Sequence, residues 1–243
     1  MKFTDILNEI FFPSDIKCIV CGGELSFNTK YGVCDKCNNL DYNTRYCKSC
    51  GRHVGAMTPY CIECTNRTHD FDVARAPFVY KNKVKKLVYR LKYGHGAYLS
   101  KFMAQFMYDT FLDSQIDVDV VTFVPMPKSR QFERGYNQAE EIAKEFSLIS
   151  GIEQKALLKR TKYTKNLARM GREERQKAIV NAFDVINKED VKGKRVLLID
   201  DVFTSGATTN ECSKILKKNK ASFVYILTFA TSTDKIGNVK NFV

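Results

Sequence analysis

The feature that most limits how this 243-residue chain can fold is the run VLLIDDVFTSGATT at residues 196–209. Val196, Leu197, Leu198 and Ile199 are consecutive large apolar residues, the pattern of a strand buried on both faces of a parallel sheet. Asp200 and Asp201 are therefore delivered at its C-terminal edge. A turn of hydroxyl and small residues follows, Thr204, Ser205, Gly206, Ala207 and Thr208, and then a helical pattern with Cys212, Ile215 and Leu216 on its apolar face. In open α/β sheets ligands bind beyond the carboxyl ends of the strands. A glycine turn that opens a helix offers backbone N–H groups and the positive end of the helix dipole to an anion. The hydroxyls add donors, and the two aspartates can accept from sugar hydroxyls or hold a magnesium ion through water. This chemistry suits a phosphorylated sugar. Neither GxxxxGK[ST] nor GxGxxG, the loops of nucleotide sites, occurs. Ordinary helix capping also favours Thr, Ser and Asp at such a place, so the short turn alone does not decide the matter.

The second constraint is the cysteines. Eight of the nine form four C-x-x-C pairs in the first quarter of the chain: Cys18/Cys21, Cys34/Cys37, Cys47/Cys50 and Cys61/Cys64. Paired thiolates at that spacing close two corners of a zinc tetrahedron. Gly22, Gly23 and Gly51 follow their pairs as a tight knuckle requires. Two structural zinc ions are expected, with Cys18, Cys21, Cys34 and Cys37 as one set and Cys47, Cys50, Cys61 and Cys64 as the other. An interleaved pairing satisfies the spacing equally. The segment has little apolar content, so the metal would supply its folding energy. His53 and His69 are not needed as ligands, and Cys212 reads as a core residue.

Length allows one medium α/β domain with a small appendage; the boundary is placed near residue 70, giving a double zinc-ribbon domain at 1–70 and a sheet domain at 71–243. A formal charge of +12 suggests an anionic partner such as nucleic acid. The first residues are too polar for a signal peptide and no run has the length of a membrane helix, so a cytoplasmic protein without membrane insertion is expected.

Residues 83–93 (KVKKLVYRLKY) read as an amphipathic helix, with Val84, Leu87, Val88 and Leu91 on one face. Lys85, Lys86 and Arg90, interleaved with Tyr80, Tyr89 and Tyr93, suit single-stranded nucleic acid, whose bases stack and whose phosphates pair; a solvated helix face has the same composition. A further helix is expected at 98–112. A strand at 118–124 leads through Pro125 and Pro127 into a cationic turn at 128–138 and a helix from 139. There Lys128, Arg130 and Arg134 could meet a pyrophosphate. Leu157 and Leu158 mark a short strand, residues 160–177 a mobile basic loop grading into a helix, and residues 183–186 and 222–229 further strands.

The acid pair with its TSGAT turn resembles the phosphoribosyl-pyrophosphate (PRPP) signature of type I phosphoribosyltransferases. Taken in order, the cysteine pairs, LKYGHG, VPMPKSRQFERGYNQAEEIA and LLIDDVFTSGATT resemble the ComF family of competence-associated proteins. The resemblance implies a type I phosphoribosyltransferase-like parallel sheet flanked by helices, with a small N-terminal zinc-ribbon domain. It implies that Asp200, Asp201, Thr204, Ser205, Gly206, Ala207, Thr208, Lys128 and Arg130 bind PRPP together with magnesium. It also implies a role in natural transformation, handling single-stranded DNA alongside a helicase-like competence ATPase. Whether such a pocket transfers phosphoribosyl to an acceptor is a separate question. Relatives carry a Gln and an Asn where Leu167 and Ala178 stand here, although Arg175 and Phe183 fit; this departure bears on turnover more than on binding. No catalytic base emerges, His95 being the one histidine beyond the cysteine segment and having no partner in the sequence.

Overall fold

The computed structural model describes residues 17–25, 30–55, 58–93, 96–162 and 179–234. The chain divides into two compact units, Met1–Leu40 and Asp41–Val243. The first contains the Cys18, Cys21, Cys34 and Cys37 knuckles, closed by a bridge between Lys17 and Glu24 and by short 3-10 turns at Lys30–Gly32 and Asp35–Cys37.

The second unit begins with the other cysteine ribbon, whose last arm carries helix α1 (Ile62–Asn66). Strand β1 (Val73–Arg75) and strand β2 (Phe78–Val79) lead to helix α2 (Asn82–Tyr93) and helix α3 (Leu99–Ser114). Then come β3 (Val120–Phe123), α4 (Lys128–Arg134), α5 (Gln138–Ser150), β4 (Leu158–Arg160) and β5 (Phe183–Val185). The unit closes with β6 (Arg195–Phe203), α6 (Ala207–Lys218) and β7 (Phe223–Thr231). The main sheet is parallel, in the order β1, β7, β6, β3, with β2 also pairing with β7; β4 and β5 make a separate antiparallel pair.

Side chains alternate across a strand, and here both faces are apolar. Val196, Leu198, Val224 and Ile226 pack in one cluster with Cys212 and Leu216 of α6. Tyr225 and Phe229 turn the other way, the first stacking on Phe111 and the second meeting Phe102, both of α3. Phe146 of α5 meets Phe111 edge-on at 5.5 Å. Helices on both faces, joined by crossovers, are what an all-parallel sheet needs.

One difference from the sequence reading bears on the site. Residues 128–134 form a helix, α4, where a turn was expected. The second ribbon also shares its core with the sheet, so metal is not its only support. Cys47, Cys50, Val54 and Cys61 share one core with Phe71, Ala74, Leu198 and Phe203. Ala74 donates its amide to the Ser49 carbonyl at 2.8 Å. A side chain at Gly51 would run into the Ala74 carbonyl. Apolar burial therefore helps hold this ribbon, whereas composition alone suggested metal by itself. Leu167, Arg175 and Ala178, like His95, lie outside the described residues.

Candidate functional site

β6 outruns its neighbour. The β3 ladder ends at Phe123 opposite Ile199, with one further bond from the Val124 amide to the Ile199 carbonyl. Pro125 and Pro127 then take that chain away, since proline cannot continue a ladder. β6 continues along β7 as far as Phe203, opposite Thr231. Asp200 and Asp201 therefore lie inside a strand but just past the edge of its partner, where the sheet opens into a cleft. The sequence placed them after the strand's end; pairing with β7 carries the strand through them.

Successive residues of a strand face opposite ways, and the two acids have different surroundings. Asp201 is buried and its Oδ2 receives Lys92 Nζ of α2 at 2.7 Å. Burial disfavours the Lys92 cation, but the Asp201 charge, the hydrogen bond to it and the Asp200 charge prevail, raising the ammonium's pKa. Asp200 accepts the Asp201 amide at 2.8 Å. Burial pushes its carboxyl up to about 7, helped by the Asp201 charge and opposed by that amide and by Lys92. The Asp200 charge in turn adds to the burial that raises the thiol of Cys212 on α6.

The loop after β6 is shaped by one steric fact. Gly206, at φ 73°, caps α6, and a Cβ there would come within 2.5 Å of the Phe203 ring. Only glycine suits both the positive φ and the close approach. Ser205 Oγ accepts weakly from the Ala207 amide at 3.4 Å, and Thr209 Oγ1 donates to the Gly206 carbonyl at 3.1 Å. The first-turn amides of α6 have no intrahelical acceptor, so an anion placed over the loop would meet them.

The cleft measures about 430 Å³. Residues 204–208, Asp200 and Asp201 line it, together with Tyr80, Lys92 and Arg130 among others. A second hollow of about 190 Å³ shares Lys92, Arg130, Asp200, Asp201 and Thr208, and adds Arg134, Arg160 and Asn137. The acid pair is thus common to the hydroxyl and amide loop's cleft and to a hollow rich in guanidiniums. Asn137 fixes the second hollow: its Nδ2 donates to the Val124 carbonyl at 3.1 Å and its Oδ1 caps α5 through the Ala139 amide at 3.2 Å.

Of the residues assigned to PRPP, Asp200, Asp201, Thr204, Ser205, Gly206, Ala207, Thr208 and Arg130 line the cleft. Lys128 is exposed at the first turn of α4 and lines neither hollow. Lys92, Tyr80 and Arg160 were missed. Lys92 lies in the LKYGHG stretch, but one lysine among five basic residues of a helix gives no sign that it turns inward. Lys85 and Lys86 are exposed on α2, and Arg90, half-buried, donates to the Tyr98 hydroxyl. On the same helix Tyr89 and Tyr93 are exposed, their ring centroids 4.9 Å apart. Arg134 lies over Tyr93 at 4.8 Å, so this aromatic and basic strip reaches the second hollow.

The eight cysteines form two tetrads in sequential order, 18, 21, 34 and 37 and then 47, 50, 61 and 64, the thiols of each lying within 4.8 Å of one another. Around a tetrahedral ion with metal–sulfur bonds of about 2.3 Å, sulfurs stand about 3.8 Å apart. Cys21 and Cys34 are at 3.8 Å, Cys50 and Cys61 at 3.6 Å. Each set already favours a thiolate. The bond from Cys50 brings Cys47 down to about 4. At Cys18 burial opposes ionisation, but the amides of Cys34, Cys21 and Val20 outweigh it and bring the thiol to about 6. His69 Nε2 sits 3.3 Å from Cys64 Sγ, a supporting contact outside the tetrad. Both tetrads could hold zinc ions.

A parallel sheet wrapped by helices, with an acid pair and a glycine loop at one strand's end, defines a type I phosphoribosyltransferase fold. The phosphoribosyl transferase domain family matches residues 133–241. Over the longer span, the chain is 28% identical to competence protein F of Haemophilus influenzae, covering 84% of this chain and 92% of that one. It is 27% identical to competence protein ComFC of Streptococcus pneumoniae, covering 79% and 77%. To the DNA utilization protein YhgH of Escherichia coli K12 it is 22% identical, covering 86% and 94%. The chain is a homologue of these competence protein F, ComFC and YhgH proteins, with a phosphoribosyltransferase domain and cysteine groups like those of a zinc ribbon.

Proposed function

We propose that the protein is a competence-associated DNA-handling protein whose cleft binds PRPP with magnesium, and whose two cysteine tetrads hold structural zinc. The observation that carries the pocket assignment is the acid pair on β6 beyond the end of β3, facing the Gly206 loop within one cleft. In this reading residues 204–208 take the 5′-phosphate, and Asp200 and Asp201 take the ribose hydroxyls directly or through hydrated magnesium. Arg130 and Arg134 meet the pyrophosphate by bidentate bonds. Lys92 holds Asp201 in place and supplies a cation beside the pyrophosphate's exit.

The names of the relatives support a role in DNA uptake and use, and the strip of Lys85, Lys86, Arg90, Tyr89 and Tyr93 is the surface assigned to single-stranded DNA. A helicase-like competence ATPase is the proposed protein partner. Among the described residues no helix is long and apolar enough to cross a membrane.

Transfer of phosphoribosyl to an acceptor is a second reading, favoured by the second hollow that shares the acid pair with the cleft. The bond between the anomeric carbon and pyrophosphate would then break, with Arg130, Arg134 and Lys92 receiving the departing charge. Rate enhancement would come from position and electrostatics.

Calorimetric titration of PRPP into the protein, with and without magnesium, tests the pocket. Saturable binding that strengthens with magnesium supports it; heats no different from dilution would refute it. Pyrophosphate release, assayed across candidate acceptors, tests the second reading.

A further inference from the structure

We propose that Arg52 is a positioning residue that transmits the shape of the second cysteine ribbon to the phosphate loop, and so sets affinity for the 5′-phosphate end of the ligand. The proposal rests on the PRPP reading of the cleft. Arg52 stands two residues after Cys50 of the Cys47–Cys50 knuckle. Cys47 donates its amide to the Arg52 carbonyl at 2.8 Å, and Gly51 donates to the Cys47 carbonyl at 2.9 Å, so the knuckle fixes the backbone from which the side chain departs. The residue is only 5% exposed.

Its guanidinium joins the two arms of the ribbon to the loop. Nη1 donates to Glu63 Oε2 at 2.7 Å, and Glu63 stands between Cys61 and Cys64 on the second arm. Nη2 donates to the Thr204 carbonyl at 2.9 Å, on the first residue of the phosphate loop. The guanidinium carbon lies 5.8 Å from the centroid of Phe203, the ring over which Gly206 turns. Phe71 also meets Phe203, edge-on at 5.9 Å. Ser232 Oγ also donates to the Thr204 carbonyl, at 3.0 Å. A planar fork with a carboxylate on one nitrogen and a carbonyl on the other has no lysine equivalent. The loop that would receive the phosphate is therefore held in place by a charged bond from outside the sheet.

The test is Arg52→Gln in the full chain with its zinc retained. Zinc content should stay at the wild-type value. In the absence of ligand, amide exchange at residues 204–208 should accelerate about tenfold, the scale of one charge-assisted hydrogen bond, while exchange in β7 is unchanged. Affinity for ribose 5-phosphate should fall about tenfold and that for inorganic pyrophosphate should not move. Should Arg52→Gln fail to melt cooperatively, Arg52→Lys carries the same readouts with smaller changes of the same sign. Unchanged loop exchange in a folded, zinc-loaded variant would overturn the proposal. So would equal losses for both ligands. If the wild type binds neither ligand, the PRPP reading falls and the exchange measurement still decides the role of Arg52.

Discussion

The Asp200 carboxyl gives the sharpest expectation. Burial and the adjacent Asp201 charge raise its pKa from 3.8 to about 7. At about pH 6 some tenth of the molecules carry the carboxylate and at about pH 8 some nine tenths. A ligand whose ribose hydroxyls or hydrated magnesium require that carboxylate should bind about tenfold more tightly at the higher pH, or about 1.4 kcal/mol. About one proton should be released on binding at about pH 6, about half a proton near pH 7, and less as the pH rises further. The sign for the free protein is the opposite. A folded-state pKa above the unfolded one means that protonated Asp200 favours folding; that contribution is fully present below the ordinary carboxyl range and is lost as pH rises through about 7. The assay is calorimetry with PRPP and magnesium across this range, in two buffers of different ionisation enthalpy. Asp200→Asn is the control, since it removes the protein's proton and leaves those of the ligand's own phosphates. A pH slope and proton release identical in the wild type and Asp200→Asn would refute the reasoning.

Four other outcomes are expected. Lys92→Met strands the Asp201 carboxylate, which is largely buried. The pair keeps some solvent, so the cost should be about 1–3 kcal/mol in a urea melt, and an unchanged midpoint would contradict it. Cys61→Ser should lose one of two zinc ions and lower the melting temperature of the sheet unit, because Cys61 belongs to its core. Cys18→Ser should lose the other ion and leave that melting transition in place; metal analysis and calorimetry read both. Neutralising Lys85, Lys86 and Arg90 together should weaken single-stranded DNA binding and flatten its log–log salt dependence by about 2, at about 0.7 for each phosphate no longer neutralised.

What the sequence disclosed about this site depended on whether a local pattern had a single physical reading. Val196 to Ile199 had to be buried on both faces, so the central strand and its acid pair were legible. The cysteine spacing defined four knuckles but not their pairing, which is a matter of tertiary contact. The helix α4 was hidden because it buries nothing and so has no apolar period; Gly135, which ends it in the left-handed region, was the available sign. The second ribbon's share in the core of the sheet was hidden for a related reason. Val54 and the cysteines are too few to announce a core, yet they complete one supplied by Phe71 and Phe203 from elsewhere. Lys92 and Arg52 are ordinary basic residues in sequence. Their roles arise only when α2 and the ribbon are brought to the same edge of the sheet.

The most direct test of the pocket is titration of magnesium and PRPP into the wild type and into Asp200→Asn/Asp201→Asn, each first shown to melt cooperatively. Saturable binding to the wild type and none to the double variant is the expected result. Equal affinity for the two proteins would mean that the sugar phosphate does not sit at the end of β6.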